Sequence, residues 1–257
     1  MIDWNDAFDN SSYVPGADAL PELWAGRAAA HRAETGEIDL AYGDAPRNRF
    51  DLFRPEGAAR GLVVFVHGGY WHRLDKSFWS HFAAGPMARG WALAIPSYTL
   101  APDARLTQMV GEVAAAVNAA SEQVGGPLRL VGHSAGGHLV SRLACADSSV
   151  TDRVEKVVSV SGIHDLRPLI GTRMNETLKL DVTEAEAQSP ALHKPRDGLA
   201  LHFWCGAVER PELVRQTRLI SEAWNAPNTF DPGHDHFSVI EELGRPGSPL
   251  LDELLKD

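Results

Sequence analysis

Gly132-His133-Ser134-Ala135-Gly136-Gly137 follows a strand-like run, Leu128-Arg129-Leu130-Val131, and precedes a helical pattern over residues 135–146. Gly-x-Ser-x-Gly between a buried strand and a helix is the pattern of a nucleophile elbow. The glycines flank a sharp turn in which a larger side chain would strike the neighbouring strand or helix. Such a turn lifts the Ser134 hydroxyl out of the sheet. It also aims the N–H of Ala135 at the same space, at a helix N-terminus where negative charge is favoured.

The chain on either side of this turn reads as a sheet with helices. Leu62-Val63-Val64-Phe65-Val66, Trp91 to Ile95, Val154 to Val160 and Leu199 to Trp204 are apolar runs of the kind found in strands covered on both faces. Helical patterns separate them: Leu106 to Val124 sets Met109, Val113, Val117, Ala120 and Val124 on one stripe, and Pro211 to Trp224 starts with proline in the first turn. Alternating strands and helices predict an α/β architecture, a mostly parallel sheet with helices on both faces. Ile38 to Tyr42 and Arg49 to Arg54 alternate apolar and polar residues and are expected as half-exposed antiparallel edge strands. Residues 1–45 read as an N-terminal arm or cap, with a short amphipathic helix through Leu20, Leu23, Trp24 and Ala28. Residues 173–190 fit no strand and are expected as short helices inserted above the sheet. No repeat or linker divides the chain, so residues 1–257 are expected to form a single domain.

A serine nucleophile needs an oxyanion hole, a base and an orienting acid. His67-Gly68-Gly69-Tyr70-Trp71 follows the strand at 62–66, and its glycines let the main chain approach a developing oxyanion. Gly68, Gly69 or Tyr70 is expected to donate opposite Ala135, one such donor being worth ~3 kcal/mol of barrier. His67 reads as a structural residue. The base is expected after the last strand, in Asp231-Pro232-Gly233-His234-Asp235-His236-Phe237. His236 is preferred over His234 because Phe237 to Ile240 begins a closing helix that anchors the loop. The acid is expected after the strand ending near Gly206. Glu209 comes first there, Glu212 second, and Asp235 is a third candidate whose adjacency to His236 is awkward. The chain order nucleophile, acid, histidine is that of an α/β-hydrolase fold.

These motifs, with Ser161-Gly162-Ile163-His164-Asp165-Leu166-Arg167-Pro168 and the Pro211 to Thr217 helix start, resemble the arylformamidase (kynurenine formamidase) group of the hormone-sensitive-lipase-like α/β-hydrolases. The likeness runs from about Gly61 to Leu243. It implies Ser134 as nucleophile, Glu209 as acid and His236 as base, with Gly68, Gly69 and Ala135 in the oxyanion hole. The lipase branch usually has a third glycine where Tyr70 stands, and more often Asp than Glu as acid. The implied activity is hydrolysis of small carboxylic esters or aryl formamides such as N-formylkynurenine. A short-chain carboxylesterase or thioesterase without formamidase activity is the alternative.

Composition narrows the partners. With 24 basic against 34 acidic residues the net charge is −10, which repels phosphate backbones and argues against nucleic-acid binding. No apolar run approaches the ~20 residues of a membrane span. The opening Met1-Ile2-Asp3-Trp4 lacks a secretory pattern, and two cysteines, Cys145 and Cys205, make no disulfide framework, so a cytoplasmic enzyme is expected. A homodimer is compatible with this composition. Eleven histidines raise a metal-dependent alternative, but none shows tight ligand spacing, and neither metal nor cofactor is expected. Tyr70 and Trp71 are expected beside the reacting carbonyl, against an aromatic leaving group. Arg73, His72 and the 173–190 insertion are placed to read the substrate's polar end, while Trp79 and Trp204 read as core.

Overall fold

The computed structural model describes residues 2–34 and 36–256. Eight strands form one sheet: β1 (Glu37–Ala41), β2 (Arg49–Phe53), β3 (Leu62–Val66), β4 (Ala92–Pro96), β5 (Leu128–His133), β6 (Val154–Val160), β7 (Ala200–Gly206) and β8 (Asn228–Asp231). Their order is β1-β2-β4-β3-β5-β6-β7-β8. β1 and β2 pair antiparallel with each other, and β2 pairs antiparallel with β4. Every other neighbouring pair is parallel.

The pleat sends alternate side chains of β3 into two cores. Leu62, Val64 and Val66 pack with Met109, Val113 and Val117 of the 106–123 helix and with Leu139 of the elbow helix. Val63 and Phe65 pack on the other face with Trp24, Trp79, Phe82 and the C-terminal Leu250, Leu251 and Leu254. Both faces are thus covered, which explains why the central strands are apolar without alternation.

One edge expectation needs correction. β2 is interior, between β1 and β4, and Asp51 at its centre is completely buried. Its carboxylate accepts from Lys76 Nζ at 2.7 Å and from the Asp39 N–H at 3.0 Å, and pairs with Arg32 at 3.2 Å. The polar residue in an alternating strand therefore faces buried cations rather than water. The far edge is β8, a four-residue strand too short and too polar to stand out by periodicity.

The 173–190 stretch forms short helices at Asn175–Leu178 and Val182–Ala187, as expected. Residues assigned to an arm divide: Leu20–Glu34 is a helix laid over the second core, whereas Glu37–Ala41 joins the sheet. Met1 and Thr35, which also fall within that assignment, lie outside the described residues. No helix among the described residues is long and apolar enough to cross a membrane.

Candidate active site

Ser134 follows β5 with φ 56° and ψ −117°, a conformation costing a non-glycine residue ~1–3 kcal/mol. Its N–H donates to Val160 O (2.9 Å), and its carbonyl accepts from His138 N (3.0 Å). The flanking glycines are sterically required. A Cβ on Gly132 would lie 2.2 Å from Gly136 O, and one on Gly136 would lie 1.9 Å from Val66 O. The elbow helix begins at Ala135, whose N–H has no acceptor within the helix.

The loop after β3 lies against this turn. A Cβ on Gly68 would sit 2.8 Å from His133 O. Gly69, at φ 111°, accepts at its carbonyl from the N–H groups of His72 and Arg73, which closes the turn. Tyr70 and Trp71 follow with φ of 53° and 60°. This backbone separates two side chains expected to act together. Tyr70 lines the cavity above Ser134, and its hydroxyl donates to Phe8 O at 3.3 Å, tying down the N-terminal segment. Trp71 does not line the cavity. It is fully buried, with its Nε1 donating to His138 Nδ1 at 3.1 Å, so its expected place beside a substrate is corrected to a core role.

Glu209 and His236 come together at the ends of β7 and β8. His236 Nδ1 stands 2.7 Å from Glu209 Oε2, and both side chains are buried. Glu209 Oε1 accepts from Ser161 Oγ (2.5 Å) and from Gly206 N (2.7 Å). Burial pushes the Glu209 carboxyl up, but the imidazole beside it and these three hydrogen bonds outweigh that effect and hold it below its ordinary range. The other candidates have structural tasks. Glu212 takes Arg215 and Gln216, and Asp235 accepts from the Phe237 and Ser238 N–H groups at the start of the closing helix, Ser238–Glu241. His234 contributes its carbonyl, which accepts from Val208 N and packs where a side chain on Gly206 would stand.

Two supporting residues have roles that sequence reasoning did not assign. His133 Nε2 donates to His236 O at 2.7 Å, pinning the loop that carries the imidazole. Ser161 follows β6 at φ 53° and holds the acid. Its position after the strand next to the elbow strand was the available signal, since sites of open α/β sheets gather at the carboxyl ends of the strands.

Ser134, His236 and Gly68 line one cavity of about 180 Å³, roofed by Asp18, Pro21 and Trp24 of the N-terminal segment. A second chamber of about 520 Å³ shares Asp18, Tyr70 and Arg73 with the first and reaches Arg173 and Met174 of the insertion. Among the described residues, no three His, Cys, Asp or Glu side chains converge as metal ligands.

Burial holds four enclosed imidazoles below their ordinary 6.5: His67 at about 4, His133 at about 3, His138 at about 4 and His164 at about 3. Below pH 6.5 the unfolded chain binds protons at these rings that the folded chain refuses. Each ring then favours unfolding by up to ~1.4 kcal/mol per pH unit. The denaturant midpoint is expected to fall steeply from pH 6.5 to 4. A flat midpoint over that window would mean that these rings are protonated in the folded chain.

Residues 63–251 match the alpha/beta hydrolase family. A kynurenine formamidase from Salmo salar is 30% identical over 239 residues, 85% of this chain and 81% of that protein. One from Drosophila melanogaster is 29% identical, covering 79% of this chain and 75% of that protein. A crystal structure of a provisionally named thioesterase from Silicibacter sp. tm1040 superposes with a TM-score of 0.96 at 40% identity, covering 100% of both chains. Esterase B from Lactobacillus rhamnosis shares the fold at TM-score 0.70 and 19% identity, over 92% of this chain and 90% of that one. The chain therefore belongs to the α/β-hydrolase family, in its kynurenine-formamidase-like group, and is a serine hydrolase of the esterase and arylformamidase type.

Proposed function

We propose that this enzyme cleaves aryl formamides of the N-formylkynurenine kind, together with small carboxylic esters, through an acyl-enzyme formed on Ser134. The reading is carried by the 2.7 Å contact between His236 Nδ1 and Glu209 on the wall of the cavity that Ser134 lines. Glu209 keeps the Nδ1 proton in place, so His236 Nε2 is the free base. Ser134 Oγ attacks the carbonyl carbon and its proton passes to His236 Nε2. The N–H groups of Ala135 and of Gly68 or Gly69 receive the oxyanion. His236 then protonates the leaving amine or alcohol as the acyl bond breaks. Water attacks the acyl-enzyme, gives its proton to His236, and Ser134 leaves with that proton.

The small inner cavity suits a formyl or short acyl group, and the larger outer chamber suits an aryl leaving group. The two buried free thiols, Cys145 and Cys205, suit a reducing compartment and favour the cytoplasm. The likeness to the Silicibacter protein supports a second reading, hydrolysis of short acyl thioesters. Rates on N-formylkynurenine, p-nitrophenyl acetate and an acyl thioester, measured side by side, separate these readings. Formamide turnover is the expected result. Ester or thioester turnover with none on the formamide would overturn the formamidase reading.

A further inference from the structure

The outer chamber carries charges that form no ion pair among the described residues. Arg73 lies between the inner cavity and the outer chamber and lines both. Among the described residues its side chain hydrogen-bonds only a neutral partner, with Nε donating to His72 Nε2 at 3.2 Å. Arg173 stands on the wall formed by the insertion; its backbone N–H donates to Asn5 Oδ1 at 2.7 Å and its carbonyl accepts from Glu176 N, while its guanidinium has no partner among the described residues. Asp18, which also lines both spaces, accepts no hydrogen bond and meets no cation among the described residues. Other arginines of this region are neutralised: Arg167 by Asp165, Arg210 by Asp6 and Arg215 by Glu212. Two guanidinium groups and one carboxylate thus line a chamber that shares Asp18, Tyr70 and Arg73 with the Ser134 cavity, without satisfying one another.

We propose that the outer chamber binds the charged end of the leaving group, an α-amino-acid headgroup, with Arg73 and Arg173 receiving its carboxylate and Asp18 its ammonium. Arginine suits the first task because its planar fork matches a carboxylate with two parallel hydrogen bonds. A single carboxylate suits the second. Trp4, Phe8 and Met174 line the same chamber and give the aryl part of such a leaving group an apolar wall. The inner cavity, at about 180 Å³, then holds only the acyl group. These residues set specificity; none of them reaches the reacting atoms in this assignment. The assignment rests on the hydrolase reading above, but it concerns the leaving group and not the acyl bond.

Two substrate pairs test it, each differing only in the headgroup. One is N-formylkynurenine against 2′-formamidoacetophenone, the same aryl formamide without the amino acid. The other is O-acetyltyrosine against p-tolyl acetate, the corresponding pair of esters. The compound with the headgroup is expected to show a kcat/KM at least ~10-fold higher in each pair it enters, mostly through KM. Arg73→Gln, Arg173→Gln and Asp18→Asn are each expected to bring that ratio down severalfold, and the double arginine variant to bring it near one. These side chains are exposed, so the variants should fold, and the ratio within one preparation corrects for any loss of active enzyme. Equal kcat/KM within both pairs would overturn the headgroup site while leaving the hydrolase reading intact. So would a ratio that the three substitutions do not move. A headgroup preference among the esters with no turnover of either formamide would support the site and sink the formamidase reading instead.

Discussion

Ser134→Ala is expected to lower turnover by ~10⁵–10⁶-fold on any ester or formamide this enzyme accepts, with little change in fold stability. The reason is the loss of a covalent step. Without Oγ, His236 has no nucleophile to activate, and water would have to enter a cavity shaped for the acyl group. What remains is the oxyanion hole and substrate binding, which alone leave ~10³–10⁴-fold over the uncatalysed rate. The alanine keeps the backbone of the turn, which is fixed by the bonds to Val160 O and from His138 N rather than by the hydroxyl. Labelling gives a second readout: an organophosphate should modify the wild-type enzyme at Ser134 and leave the variant untouched. A variant retaining activity within a few fold of wild type, or labelled equally, would remove Ser134 from the mechanism.

Glu209→Gln is expected to cost ~10³–10⁴-fold in kcat, by reversing a tautomer rather than by removing a contact. Glu209 Oε1 accepts from both Ser161 Oγ and Gly206 N. In a glutamine the carbonyl oxygen has to occupy that position, because two donors already point at it. The amide NH₂ then faces His236 Nδ1, which must accept a hydrogen bond, so the ring proton moves to Nε2. An imidazole protonated there has no lone pair for the Ser134 proton. The loss should ease at high pH, where hydroxide begins to substitute for the missing base, and KM should change little. Ser161→Ala combined with Glu209→Gln leaves the Gly206 N–H aimed at the same atom, so the amide should keep its orientation and little activity should return. A Glu209→Gln enzyme with wild-type kcat across the pH range would show that another group orients the imidazole.

The elbow was legible because its requirements are local: two glycines, a serine and an adjoining strand and helix occupy consecutive positions, and the steric reason for each glycine lies within a few residues or on the next strand. The glycines after β3 were legible on the same ground. The acid and the base were legible as short choices, Glu209 among three carboxylates and His236 between two histidines. The structure pairs His236 with Glu209 and gives Glu212 and Asp235 other partners.

Trp71 shows where such reading stops. It is next to Tyr70 in the chain, yet one side chain lines the cavity and the other enters the core. Two successive positive φ values produce that split, and no residue type in the loop announces them. Asp51 is a parallel case. Its strand alternates as an exposed edge would, but β1 covers its flank and Lys76 and Arg32 come from elsewhere to neutralise it.

Residue order alone thus specified the class of fold, the candidate nucleophile and a small set of candidate partners, since strand burial, turn sterics and side-chain chemistry are written over short stretches. Folding in three dimensions decided which carboxylate meets which imidazole, how Ser161 and His133 hold them, and that the N-terminal segment roofs the cavity. Those outcomes depend on which strand ends lie side by side and on which chain segments cross above them, and contacts between residues a hundred positions apart leave no periodic trace in the chain.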